Sequence, residues 1–253
     1  MQSFTFDGLF KETLSVFKSQ KRLIFLASLV YYVPVVLYGI YTAVRDLPDI
    51  LAGEAAGSAD VISAIPFILL SILLSFFMTI TIIYAISQKK PLGIKEALDG
   101  GYPFYGKSIL LHLLLYLALI PLFILLIVPG IIFSVYWAFS IYALIIDKET
   151  IVGSMQKSRR IVAGCWWKVF GYSMGVGAII AAGIIFANFA LMIPYLFSIF
   201  AYTLLGEGMR MPVLAALIFH ILVYDMLVAL LTIFYAVYMQ RFYLRLRTKN
   251  KEG

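Results

Sequence analysis

Residues 108–147, SILLHLLLYLALIPLFILLIVPGIIFSVYWAFSIYALIID, decide the fold. Between Lys107 and Asp147 no Lys, Arg, Asp or Glu interrupts two apolar runs, 108–128 and 130–147, which meet at Val128-Pro129-Gly130. About 20 apolar residues span the hydrocarbon core of a bilayer as an α-helix, and only helices or closed barrels satisfy every backbone group there. Barrel strands alternate in polarity over about 10 residues; these runs are unbroken, so they read as helices. Pro-Gly is a strong turn signal. Pro129 and Gly130 are therefore expected to close an antiparallel hairpin with almost no loop.

Four more apolar segments lie outward from this pair, at roughly 22–44, 63–87, 169–205 and 213–240. The segment 169–205 is too long for one straight span, and Pro194 is expected to end or kink it, leaving 169–193 as the span. Hydrophobic residues make up 63% of the chain and charged residues 13%, against about 45–50% and about 25% in soluble domains. The expected fold is an all-α membrane protein. Six transmembrane helices form three hairpins, each preceded by a cytoplasmic amphipathic helix, in a single membrane domain over residues 1–253.

Charge supplies the orientation. Lys11, Lys18, Lys21 and Arg22 precede the first span; Lys89, Lys90, Lys95 and Lys107 lie between the second and third. Lys148, Lys157, Arg159, Arg160 and Lys168 lie between the fourth and fifth, and Arg241, Arg245, Arg247, Lys249 and Lys251 follow the sixth. Eighteen of the twenty basic residues thus fall on one side, leaving Arg45 and Arg210 on the other with Asp46, Asp49, Glu54, Asp60 and Glu207. Lys and Arg in short loops stay cytoplasmic, so both termini are expected there. The net charge of +7 is accounted for by this topology and by the anionic inner leaflet; nucleic acid is not an expected partner. The first twenty residues hold no short apolar core followed by a small-residue cleavage site, so the first span is expected to remain as an anchor. Cys165, the only cysteine, excludes an intrachain disulfide and reads as a small packing residue.

The inner segments carry a helical period. Phe6, Leu9, Phe10, Thr13, Leu14 and Phe17 recur on one stripe, which reads as a basic amphipathic helix on the membrane surface. In the second segment Ile94, Ala97 and Leu98 follow Pro91, and Gly100-Gly101 is expected to end the turn ahead of the aromatic Tyr102-Pro103-Phe104-Tyr105. In the third, Met155, Ser158, Ile161, Val162, Cys165 and Trp166 share a stripe, with Lys157, Arg160, Gly164 and Lys168 facing away. The layout of inner helix, span, outer turn and span is thus used three times in the same direction. The outer turns are an acidic loop of about 18 residues expected to be mobile, the Pro129-Gly130 turn, and a link around Gly206-Glu207-Gly208.

Two stretches carry a family resemblance: Ile127-Val128-Pro129-Gly130-Ile131-Ile132-Phe133 with the apolar run to Asp147, and Ser158 through Gly171 with Gly164, Trp166 and Trp167. This region of about 45 residues resembles the six-span family containing the glycerophosphoryl diester phosphodiesterase membrane domain, and related bacterial and archaeal inner-membrane proteins. The resemblance implies a membrane domain in a prokaryotic inner membrane. It does not imply phosphodiesterase activity, because the family namesake's catalytic barrel is a separate soluble domain and is not expected here.

Few residues could carry chemistry. Asp225 lies near the middle of the last span, where a charge is costly and marks either a proton or cation site or a buried polar contact that fixes helix packing. Asn188, at matching depth in the fifth span, is its expected partner. His220, five residues before Asp225, lies about 140° around the helix. His112 lies near the inner end of the third span, and each histidine reads as a packing or interface residue. No metal-ligand spacing, nucleophile–base pair or cofactor motif is present, so no catalytic residue, metal or cofactor is expected. Gly171-x-x-x-Gly175 and Ala178-x-x-x-Ala182 form a small face expected to serve internal helix packing.

Lys157, Arg159, Arg160, Trp166, Trp167 and Lys168 form a basic and aromatic cluster suited to anionic lipid headgroups, with simple interfacial anchoring as its plainer reading. Three roles follow: a non-catalytic membrane protein interacting with lipids or envelope components, a small transporter or channel using Asp225, or an accessory or immunity subunit with an unidentified protein partner.

Overall fold

The computed structural model describes residues 5–52, 61–88, 90–206 and 210–249. Among these the chain is helical: α1 (Phe6–Ser19), α2 (Lys21–Ala52), α3 (Val61–Ser87), α4 (Ile94–Leu125), α5 (Ile127–Tyr136), α6 (Ser140–Ile146), α7 (Ile151–Ala163), α8 (Trp166–Leu205) and α9 (Arg210–Lys249). Among the described residues five spans are long and apolar enough to cross a membrane, the segment Ile127–Ile146 counting as one. A sixth is reached if Lys21–Val30 and Tyr32–Arg45, bent by 43°, are taken together. Length and composition mark a multi-pass membrane protein. The acidic loop between the first two spans and the Glu207-Gly208 link fall on residues outside those described, as do Lys89 and the tail beyond Lys249.

Several boundaries differ from the sequence reading. Gly100-Gly101 does not end a helix: α4 runs through both, and through Pro103, so the second inner segment and the third span are one element. Glycine inside a helix costs only about 1 kcal/mol, and here it permits a close approach. A Cβ on Gly100 would lie 2.0 Å from the Tyr84 ring. Nearby, Ala85 and Ala97 are buried together with Leu23. Pro194 lies inside α8 and does not end it.

The helix break after α4 is at Leu126, whose backbone is extended, and not at Pro129-Gly130, which occupy the first turns of α5. Proline is tolerated early in a helix because its missing N–H would have no intrahelical partner. Gly130 sits where a Cβ would come within 2.6 Å of the Phe123 ring, so α5 packs tightly against the end of α4.

The chain divides into two compact units, 1–24 with 79–178 and 233–253, and 25–78 with 179–232. In the second, α2 and α9 come together where Gly39 faces Ile221 and where the Tyr32 hydroxyl donates to the Leu222 carbonyl. Tyr38 of α2 packs on Phe67 of α3, ring centroids 5.2 Å apart.

In the first unit, Gln240 is fully buried and donates to the Ile83 carbonyl at 3.0 Å. The stripe of α1 turns toward the chain's own aromatics. Phe6 meets Tyr172 and Tyr238, while Phe10 and Phe17 both meet Phe234. Aromatic pairs of this kind contribute about 0.5–1.5 kcal/mol each beyond area burial, so the apolar face expected on the membrane surface is largely used for docking. Phe6 also covers Gly175, whereas Gly171, Ala178 and Ala182 are exposed, so the small face of α8 is not the internal contact expected of it.

Candidate functional site

The span of α5 and α6 is interrupted at Trp137–Phe139, and α7 closes the gap. Ser158 is fully buried; its hydroxyl donates to the Tyr136 carbonyl at 2.7 Å and accepts from the Phe139 amide at 3.1 Å. An interrupted helix leaves backbone groups without partners, and burying them unpaired is costly. Farther along, the Trp166 indole donates to the Ile132 carbonyl at 3.2 Å. Helix α7 therefore doubles back beside α6 and α5, with its Ser154, Ser158, Ile161 and Val162 buried. Its N-terminus is capped by Thr150, which accepts from the Gly153 amide at 3.1 Å.

The turn between α6 and α7 builds a polar cluster. Lys148 adopts a left-handed backbone, φ 55°, a conformation that usually falls to glycine at a helix C-terminus. Asp147 and Glu149 on either side both reach Lys157, with Nζ 2.7 Å from Asp147 Oδ2 and 2.9 Å from Glu149 Oε1. The Asp147 side chain is only 3% exposed; Arg247 Nη2 lies 2.6 Å from its Oδ1, and the Tyr243 hydroxyl donates to its Oδ2. Burial opposes the charge on Lys157, but hydrogen bonds to Asp147 and Glu149 outweigh it and hold the ammonium above the ordinary lysine range. Beside this cluster Glu12 accepts from Arg245 Nε at 2.7 Å, with Arg241 Nη1 3.9 Å away. Sequence reading passed over Asp147 as the end of an apolar run. The available signal was an acid placed immediately after a long uncharged stretch, in a chain whose inner charge is overwhelmingly basic.

The six expected headgroup ligands part company here. Lys157 turns into the cluster and is neutralised by two carboxylates, because α7 presents that side to the α6–α7 turn. Lys168 lies over the Tyr172 ring, 5.4 Å from its centroid. Arg159 and Arg160 remain exposed, the Arg159 guanidinium lying 5.8 Å over the Tyr136 ring. Among the described residues no carboxylate pairs with either arginine. Trp166 stacks on Phe170 at 5.2 Å and meets the edge of Trp167, which is 77% exposed.

These aromatics wall an open groove of about 520 Å³, with Val128, Ile131, Ile132 and Tyr136 on its other side. The sequence reading put Val128-Pro129-Gly130 at the outer face and Trp166-Trp167 at the inner one. Two interfaces are separated by a hydrocarbon core of about 30 Å, so a groove lined by both cannot straddle them. The cause is the return of α7 along α5, which no apolar-run count reveals. Nitroxide labels on Val128→Cys and Trp167→Cys, in a Cys165→Ser background, should lie within roughly 20 Å of each other by electron paramagnetic resonance. A separation of about 30 Å or more would restore the outer-turn assignment.

The remaining polar candidates lie apart. Asp225 and Asn188 are both half-buried, and no hydrogen bond joins them among the described residues. Asp225 instead has Tyr32 and His220 within electrostatic reach. His220 stacks on Tyr224, ring centroids 5.6 Å apart, and its buried Nδ1 has no hydrogen-bond partner. The 140° offset from Asp225 is bridged by side-chain length over about 7.5 Å of helix axis. His112 Nδ1 lies 2.8 Å from the carbonyl of Ser108 in its own helix. The Cys165 thiol donates to the Ile161 carbonyl at 3.4 Å. Among the described residues no three His, Cys, Asp or Glu side chains gather to hold a metal ion.

No family model matches the chain, and neither curated proteins nor solved structures provide a match.

Proposed function

We propose that the protein is a non-enzymatic, multi-pass component of a prokaryotic inner membrane that engages anionic lipids at its cytoplasmic face. It would be akin to the membrane-domain family whose pattern residues 127–171 resemble. The observation that carries this reading is the pair Arg159 and Arg160, exposed and, among the described residues, without carboxylate partners, with Arg159 over Tyr136 in the groove that Trp167 also lines. Lys157, Arg241, Arg245 and Arg247, by contrast, each have Asp147, Glu149 or Glu12 within ion-pair distance. Two exposed guanidinium groups suit a lipid phosphate, which they can bind through paired N–H donors. The Glu12–Arg245 contact supports both chain ends lying on one face. Lipid counting by native mass spectrometry on the detergent-solubilised protein tests the reading. Wild type should retain phosphatidylglycerol in preference to phosphatidylcholine, and Arg159→Glu/Arg160→Glu should abolish the preference. Equal retention of both lipids by wild type would remove it.

A second reading rests on Asp225 with His220 and Tyr32: a proton or cation path in a small transporter or channel. The unpartnered His220 Nδ1 favours it. Cation and proton flux into vesicles that is unchanged by Asp225→Asn would count against it.

A further inference from the structure

We infer that the groove between α5 and the start of α8 holds one acyl chain of a bound anionic phospholipid, its phosphate resting on Arg159. This deepens the lipid reading above and depends on it. The groove wall is dry by construction. The Ile132 carbonyl is taken by Trp166 and the Tyr136 carbonyl by Ser158, so the backbone offers a ligand no free acceptor from these two residues. What remains is mostly carbon: Val128, Ile131, Phe170 and the rings of Trp167 and Tyr136, a surface that chiefly rewards apolar contact. Its volume of about 520 Å³ falls within the range of about 300–1,000 Å³ typical of small-ligand sites. Val128 and Trp167 at its mouth are 65% and 77% exposed, so a chain can enter sideways from the bilayer.

The rim selects the headgroup. Tyr136 lines the groove and lies under the Arg159 guanidinium. A chain lying on Tyr136 therefore brings its own phosphate to a planar, always-charged donor fork. A peptide would need partners for all its backbone N–H and C=O groups, and this wall offers only the Trp167 indole and the Tyr136 hydroxyl; an acyl chain has none to satisfy. A zwitterionic lipid fits the groove equally well but gains less at the rim, by about fivefold in affinity for each arginine near the surface.

Tryptophan quenching by lipids brominated on the acyl chain reads groove occupancy directly. With Trp137→Phe, the full chain in detergent emits from Trp166 and Trp167 alone. Titration with brominated phosphatidylglycerol should saturate near one lipid per chain, at a concentration roughly fivefold below that for brominated phosphatidylcholine. Arg159→Glu/Arg160→Glu should erase that difference. Val128→Phe, a change at an exposed position that fills the groove, should abolish saturable quenching while native mass spectrometry still counts retained phosphatidylglycerol. Quenching that survives both Val128→Phe and Ile131→Phe would overturn the groove while leaving the headgroup reading intact. Loss of preference between the two lipids in wild type would overturn both, and the absence of saturable quenching in wild type overturns the groove whatever the variants do.

Discussion

Replacing Asp147 with alanine should lower the unfolding free energy by about 3 kcal/mol, because it leaves Arg247 without its carboxylate and Lys157 with Glu149 alone. Three side chains converge on that carboxylate: Lys157, Arg247 and Tyr243. They come from separate parts of the chain, so the loss loosens the hold of α9 on the α6–α7 turn as well as the local contact. For a chain of this size the thermal midpoint of the detergent-solubilised protein should fall by roughly 10 °C. A triple variant, Asp147→Leu/Lys157→Met/Arg247→Met, should recover most of it, since an apolar replacement of a whole buried ion cluster is often neutral. A change of under about 2 °C in Asp147→Ala would show the cluster to be dispensable. The pH dependence has a definite sign. Lys157 holds its proton more tightly than an ordinary lysine. Its contribution is therefore complete below the ordinary lysine value of about 10.4 and is lost as pH rises through the raised one. The gap between wild type and Asp147→Ala should thus be flat from about pH 7 to about pH 10 and narrow above that.

Ser158→Ala is expected to cost about 2–4 kcal/mol, the penalty for leaving one amide and one carbonyl without partners in a site that excludes water. The substitution removes a single oxygen and creates almost no cavity, so the effect would be one of hydrogen bonding. Phe139 is fully buried, and its amide should exchange with solvent markedly faster in the variant. Ser154→Ala provides the comparison. That hydroxyl only donates back to Ile151 in its own turn, at 2.7 Å, and its loss should cost under about 1 kcal/mol. Equal stability of the two variants, with Phe139 exchange unchanged, would mean that the interrupted span does not depend on α7.

Both predictions concern contacts that the sequence did not advertise. Gly100-Gly101 read as a stop and Pro194 as a stop or a kink, yet α4 and α8 continue through them. Local propensities of about 1–3 kcal/mol yield to burial and to the demand, in an apolar environment, that backbone groups pair within their own helix. The same weakness of local signals placed the break after α4 at Pro129-Gly130 rather than at Leu126. At the candidate site, composition grouped the basic and aromatic residues but could not sort them. Lys157, Arg159 and Arg160 are equivalent in a charge count. Only the fold shows Lys157 spent on Asp147 and Glu149 while the two arginines face outward. Likewise Asn188 was matched to Asp225 by depth along the helix, whereas Tyr32 and His220 are the groups within its reach.

What the sequence by itself determined is class and composition: an all-helical chain with apolar segments long enough to cross a bilayer. Those properties follow from the cost of unpaired backbone groups in lipid, which acts on every residue of a long apolar run regardless of its neighbours. The asymmetry of Lys and Arg was equally plain in the chain and carries its expected orientation. Tertiary structure decided the rest. It set the return of α7 along a broken span, the meeting of Glu12 with Arg245, and the groove that joins Val128 to Trp166. Each depends on residues far apart in sequence whose proximity no local period encodes, since a hydrogen bond or ion pair reports only the distance at which two groups finally rest.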